Sequence, residues 1–411
     1  MQLLTSTLIL IVLCLSSSAS GQEAAKDPAS EAKMQLGPFA ITPRLQLTNL
    51  GVDTNVFNEW EDPKRDFTLT VGPLADLWLR LGPARLSLKA QVDYVYFATY
   101  SSERSFNTTD SARLELAPGR VRPWVGVSYL NTRDRYSPEL DVRARRSETA
   151  FSGGVDFVLS RKTTFVLGLE ETRTDFPEDQ AAGSVYLREV LNRKTTVGTA
   201  SLRRALTPLT AVMLSVETVR ERFQFSPGRD SNGFRLVPAV EFAATALIDG
   251  TAKVGYRKLK MLAPGVPDYS GPVASVDLGY RLLGVTRFAF GVKRDVEYSY
   301  DVLQPYYILT AATASVTQAV GGPWSVTARA GTQRLDYRTA SLDVILPVGP
   351  GGADGKEGRD DDVRFWGGGI GCRLGPDATL RFDVNYYKRR SERYARDYTG
   401  VRAGTSVTYG F

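Results

Sequence analysis

Two absences limit the chemistry open to this chain. The sequence contains no histidine, which removes the commonest general base and metal ligand and with it the usual Ser-His and Cys-His arrangements. It contains two cysteines, Cys14 and Cys372. A lipoprotein signal places Gly, Ala or Ser before its cysteine, where this chain has Leu13, so Cys14 is expected to leave with a cleaved leader. The remaining thiol forms no disulfide framework. Cys372 alternates in step with Trp366 and Ile370 and reads as a small hydrophobe. The pair Gly355-Lys356 imitates a phosphate loop, but Glu357 follows it and Pro350 stands where the first glycine belongs, which rejects nucleotide binding. From Leu335 to Arg364 the chain carries Asp354, Glu357 and Asp360 to Asp362. A divalent-cation site or an inward constriction is weighed there against a solvated external loop, and the loop is favoured. No catalytic set, metal or cofactor is expected.

The informative charges are those at every second position of long segments. One set is Arg44, Arg80, Arg85, Lys89, Arg113, Arg235, Lys253, Arg257, Arg281, Arg287, Arg329 and Arg381, interleaved with Asp93, Glu115, Glu241, Asp277 and Asp383. They are expected to line a wet lumen, where a basic surplus suits an anionic solute or glycan. The alternative is lateral ion-pair ladders that only stiffen a wall. The inward aromatics Trp78, Phe97, Tyr337 and Tyr387 suit stacking on sugar rings or a place at the rim, and the rim is favoured. A net charge of +6 and a pI near 9.1 are a mild excess without basic blocks, and no nucleic-acid partner is expected.

The elements that carry these charges are two-faced strands. From Val273 to Leu282 one face reads Ala274, Val276, Leu278, Tyr280 and Leu282, the other Ser275, Asp277, Gly279 and Arg281. Leu86, Leu88, Ala90, Val92 and Tyr94 likewise oppose Arg85, Ser87, Lys89, Gln91 and Asp93. This is the period-2 signature of a strand. A soluble sandwich also alternates, but three features oppose it. The segments are about twice the usual strand length and near what a tilted strand needs to cross a bilayer. Mid-strand charges would be costly in a packed core. Aromatics such as Trp124, Tyr129, Tyr280, Trp324 and Tyr409 recur near strand ends, where interface girdles belong.

Mean hydropathy is −0.19, and beyond the first twenty residues no apolar run approaches the roughly 18 residues of a spanning helix. Short turns recur near residues 81, 116, 159, 206, 247, 282, 320 and 374. Longer polar connections, expected to be external loops, lie around 51–65, 97–108, 133–146, 174–191, 222–233, 260–270, 298–304, 336–361 and 388–398. The count predicts an all-β fold, a transmembrane antiparallel β-barrel of about 18 strands, with 16 as the alternative and both termini periplasmic. The first strand, near Phe39 to Leu47, must pair with the last to close the edge. The apolar run from Leu3 to Leu13 followed by small residues reads as a signal peptide over 1–20. A short periplasmic tail is expected over 21–37 and the barrel over 38–411. The final strand ends with Tyr409 and Phe411 in alternation, a recognition signal for β-barrel assembly machinery.

The segment Gly51-Val52-Asp53-Thr54-Asn55-Val56-Phe57, the connectors Leu159-Ser-Arg-Lys-Thr-Thr and Leu374-Gly-Pro-Asp-Ala-Thr-Leu, and the stretch from Arg294 to Tyr300 resemble the beta-barrel porin 2 family. Val52 departs from that family's usual aromatic. The resemblance implies an outer-membrane pore, often encoded among exopolysaccharide genes, that works with a periplasmic polysaccharide export protein. Polysaccharide export is therefore the leading expectation for function, with outer-membrane lipid and lipopolysaccharide as surroundings. The competing expectations are a general diffusion porin for small solutes, anionic ones included, and a non-conducting structural or adhesive barrel, which the mid-strand charges oppose. An outer-membrane hydrolase is opposed by the missing histidine, and no enzyme activity is expected.

Overall fold

The computed structural model describes residues 32–341, 359–393 and 396–410. After a short strand β1 (Met34–Leu36), the barrel strands are β2 (Phe39–Asp53), β3 (Asp66–Leu81), β4 (Ala84–Phe97), β5 (Ser105–Leu116), β6 (Val121–Thr132), β7 (Arg146–Ser160) and β8 (Thr163–Asp175). A two-stranded ribbon, β9 (Ala181–Ala182) and β10 (Val185–Tyr186), and a short helix α1 (Leu187–Leu191) follow within one connection. The barrel resumes with β11 (Arg193–Thr207), β12 (Thr210–Phe223), β13 (Ser231–Phe242), β14 (Ile248–Met261), β15 (Tyr269–Leu282) and β16 (Thr286–Tyr298). It ends with β17 (Tyr306–Gly321), β18 (Trp324–Arg338), β19 (Asp360–Arg373), β20 (Ala378–Ser391) and β21 (Tyr398–Gly410). Each long strand pairs antiparallel with its neighbours, and β2 pairs with β21 from Arg44 opposite Gly410 to Asp53 opposite Arg402. The result is a closed barrel of 18 strands.

The strands run 12–16 residues, long enough to cross a bilayer when tilted. All the tight turns lie at one end of the barrel and the long connections at the other, so both β2 and β21 meet the turn end. Gly82, at φ 58°, supplies the left-handed conformation that the β3–β4 turn needs. Near the middle of β2 the register slips between Leu47 and Leu50, with Asn49 at φ 53°. A bulge of this kind moves later side chains to the other face. Arg44 and Asp53 consequently both point inward, although their numbers differ in parity. At Gly51 an added Cβ would lie 2.0 Å from the carbonyl oxygen of Ala403, so the close approach of β2 to β21 requires glycine.

The outer face carries exposed apolar side chains throughout, with Phe151 62 % and Leu169 59 % accessible, and Val125, Val254, Trp366, Ile370 and Phe382 all half exposed or more. A belt of this extent around a closed sheet is the surface that acyl chains cover. Cys372 shares that face by alternation but is buried, opposite Trp324 and Leu380.

Two of the long connections differ from expectation. The segments 133–145 and 176–192 do not stand out in solvent. Their Leu140, Ala144, Phe176, Leu187, Val190 and Leu191 are buried in one cluster with the strand residues Phe223, Leu259, Met261 and Tyr298. A connection holding several apolar side chains finds cover only by folding onto the barrel mouth. Of the acidic stretch from Leu335 to Arg364, residues 342–358 lie outside the described residues, as do the expected signal peptide at 1–20 and Phe411.

The two faces make a direct test of orientation. Leu236 is exposed on the outer face in the middle of β13, and the adjacent Val237 points inward. Leu236→Arg should cost about 2–4 kcal/mol in urea unfolding from lipid vesicles, and Val237→Arg under about 1 kcal/mol. Equal costs would mean that the faces are misassigned.

Candidate functional site: a charged lumen crossed by one loop

The inward face is fixed by contacts that only a lumen allows. Arg389, on β20, donates Nη1 to Asp141 Oδ2 at 2.9 Å and to the carbonyls of Pro138 and Glu139 at 3.3 Å. Those acceptors belong to the 133–145 connection between β6 and β7, well round the barrel from β20. By alternation with Arg389, and opposite the exposed apolar residues, the register places a set of charged side chains on this inner face. Arg80, Arg85, Lys89, Asp93, Arg113, Glu115, Glu241, Lys253, Asp277 and Arg381 are among them.

Many of these charges hold one another. Arg44 pairs with Asp76, and Arg329 with Asp383. Arg203 meets Glu241 at 2.8 Å, and Arg281 and Arg287 share Asp249 at 3.9 and 2.8 Å. Arg235 lies directly opposite Arg257, a like-charge contact that would be destabilising alone. Asp295 reaches over from β16 to take both, at 2.9 and 2.6 Å, and Glu217 and Glu221 flank them. Arg235, Arg257, Asp295, Glu217 and Glu221 form a lateral ion-pair belt in the wall under the loop-end cluster. Others are held without an acid of their own: Arg113 lies 3.9 Å over the Trp124 ring, and Arg381 donates to Thr327 Oγ1 at 2.9 Å. The aromatics divide as well. Phe97 and Tyr337 are buried in clusters, while Trp78 and Tyr387 stay half buried in the lumen wall.

The 133–145 loop is the part of the site that sequence reasoning missed. Arg133 holds Glu103 at 3.1 Å, and Arg143 lies 3.6 Å from the same carboxylate and 4.9 Å over Phe97. Arg135 donates to the carbonyl of Val56 at 2.6 Å and to that of Asp141 at 2.7 Å. Glu139 accepts from Ser299 Oγ at 2.6 Å and the Tyr300 amide at 3.1 Å, on the loop about half-way round the barrel. Arg396 donates to the Glu139 carbonyl at 2.9 Å. At the far wall Arg389 and Asp361, neither side chain accessible, pair at 2.6 Å, and Arg359, Ser391 and Tyr337 also bond Asp361. The loop thus touches the rim on several sides and spans the loop end of the lumen.

Its electrostatics follow from burial. Desolvation pushes the Glu139 carboxyl up to about 7, against the Ser299 hydroxyl and the Arg396 and Arg359 guanidiniums, with Asp301 adding to the rise. Desolvation also lowers Arg135 and Arg229 to about 10; both donate to backbone carbonyls. The first family-like motif supports this arrangement. Asp53 pairs with Arg402 at 2.7 Å, and buried Asn55 bonds the carbonyls of Glu59 and Thr399 at 2.7 and 3.0 Å. These contacts fix the backbone that presents Val56 to Arg135. The cue in the sequence was the apolar Tyr136, Leu140, Val142 and Ala144 inside an otherwise polar connection. Among the described residues no group of His, Cys, Asp and Glu could hold a metal ion.

No curated protein matches the chain. Among solved structures it is similar in fold to Pseudomonas aeruginosa OpdL, at 12 % identity and TM-score 0.46, covering 92 % of this chain and 99 % of that one. Pseudomonas aeruginosa OpdK with vanillate aligns at 10 % identity and TM-score 0.49, covering 90 % and 98 %. The siderophore receptor PirA of the same organism aligns at 8 % identity and TM-score 0.41, covering 92 % and 81 %. Residues 27–411 match the family described as "Putative beta-barrel porin 2", and the chain belongs to that family.

Proposed function

We propose that this porin is a passive, water-filled outer-membrane channel whose aperture is set by the 133–145 loop, with the long-loop end outside the cell and the turn end in the periplasm. The observation that carries the reading is the loop pinned to opposite walls of a lumen lined with charge. A structural barrel with no pore has no use for arginine and lysine standing in water along its inner wall. A spanning loop suits hydrophilic solutes of limited size.

Polysaccharide export is the second reading, favoured by the family's motif at Gly51 to Phe57 and by the inward Trp78 and Tyr387. A hydrated glycan needs a continuous free bore, so in this reading the loop must leave the lumen, by contact with a periplasmic export protein or otherwise. Deleting the gene separates the two. Lost surface polysaccharide with unchanged solute uptake supports export, and the reverse supports diffusion.

In planar bilayers the refolded protein should conduct, and absence of conductance in every condition would sink the channel reading. Removing one member of a buried ion pair costs about 3–5 kcal/mol. Arg389→Gln should therefore undock the loop and raise single-channel conductance, with the barrel's β-sheet circular dichroism kept.

The Glu139 carboxyl sits above its unfolded value, so protonation favours the docked loop. That contribution is complete below the ordinary glutamate range and is lost as pH rises through about 7. Conductance, or its open-state noise, should rise across that window in the native protein and stay flat in Glu139→Gln. A flat native profile would remove Glu139 from the gating account.

A further inference from the structure

The turn end of the lumen differs in charge from the loop end. On the inner wall near the turns, the acids are only partly exposed and mostly engaged: Asp76 holds Arg44, Glu241 holds Arg203, and Asp249 holds Arg287. Exposed charged side chains on that wall include Arg85 at the β3–β4 turn with Arg80 across from it, Lys89 one step deeper, and Arg373 at the end of β19. Strands β19, β20, β21, β2, β3 and β4 are consecutive around the barrel. The four cations, with Arg381 between them, therefore form a single arc of the mouth.

Register sharpens the point. Arg80 lies directly opposite Arg85 across the strand pair. Like charges placed so cost stability, and a ladder built only to stiffen the wall would alternate them. Glu115 stands on the other side of Arg85, and Asp76, which also holds Arg44, lies opposite Lys89, so cations still outnumber acids along the arc. In a confined, low-dielectric mouth such a surplus raises the local concentration of counter-ions.

We propose that this arginine arc at the turn-end mouth is the selectivity site of the channel, and that the solutes it takes are anions bearing carboxylate or phosphate groups. The inference rests on the channel reading above and adds the substrate class. Small organic anions and acidic sugar polymers share this chemistry, and their size separates them.

The test is the reversal potential of the native protein in a bilayer with a tenfold KCl gradient. Chloride should be preferred over potassium by about threefold or more. In Arg80→Gln/Arg85→Gln/Arg373→Gln the preference should fall towards unity, while Lys260→Gln, exposed at the loop end of β14, should keep it. Succinate and a trimer of galacturonate, added in turn, report which size of anion blocks the current. Conductance with no preference or a cation preference in the native protein overturns the inference and leaves the channel reading standing. Unchanged selectivity in the triple variant overturns the assignment to this arc. No conductance at all overturns both. The native reversal potential decides the matter even if the triple variant does not insert.

Discussion

A bilayer interior offers no hydrogen-bond partner to a peptide group, and every other feature of this molecule follows from that constraint. An open sheet would leave two edges of unpaired N–H and C=O groups in hydrocarbon, each costing several kcal/mol. The chain satisfies them by pairing its first long strand with its last, β2 with β21. The seam is also where the local chemistry is most particular. The bulge at Asn49 resets which face each residue of β2 presents, and Gly51 lets the two backbones approach. Beyond the bulge, the Asp53–Arg402 pair ties the strands from within. Closure, once made, divides the molecule into an apolar outside and a polar inside, and the period-2 alternation is its imprint on the sequence.

The inside then has to accommodate charge. Solvation by lumen water is one solution and neutralisation by neighbours is another, and the barrel uses both at different depths. Near the loop end, where the hydrophobic cluster and the inward loop exclude water, arginines such as Arg257 and Arg389 are buried and ringed by acids. Leaving either without its carboxylates would cost about 3–5 kcal/mol. Towards the turns, where water has access, cations stand exposed and the same penalty does not arise. The pairing pattern therefore tracks the distribution of water.

That difference explains how much was legible beforehand. Strand number, turn positions and the inward or outward sense of residues such as Lys89, Asp277 and Asp383 follow from alternation, because a strand's two faces are encoded within about ten consecutive residues. The path of 133–145 is not local in that sense. Its partners Val56, Glu103, Ser299 and Arg389 are scattered along the chain, and no periodicity links them. The composition Arg133-Asp134-Arg135 with Asp141 and Arg143 suits a solvated external loop equally well. Tyr136, Leu140, Val142 and Ala144 pointed elsewhere, and a few apolar residues in a connection do not say which surface they will meet. The Gly51 to Phe57 motif was visible as a pattern, but its task of holding the Val56 carbonyl for Arg135 required the fold.

The loop is held by many polar contacts distributed round the rim, and this shapes how it can move. Each contact alone is worth about 0.5–1.5 kcal/mol net, and more where a charge is involved. A few are different in kind, because Arg389, Asp361 and Glu139 have no water to fall back on. Loosening a contact such as Arg133 with Glu103 frees a guanidinium that already has some access to the lumen. Taking Arg389 away from both Asp361 and Asp141, or charging Glu139, puts an unbalanced charge in a dry place, a penalty that withdrawal of the segment relieves by letting water in. In the proposed channel, docking of the loop is therefore governed by the far-wall arginine and one carboxyl more than by its peripheral contacts.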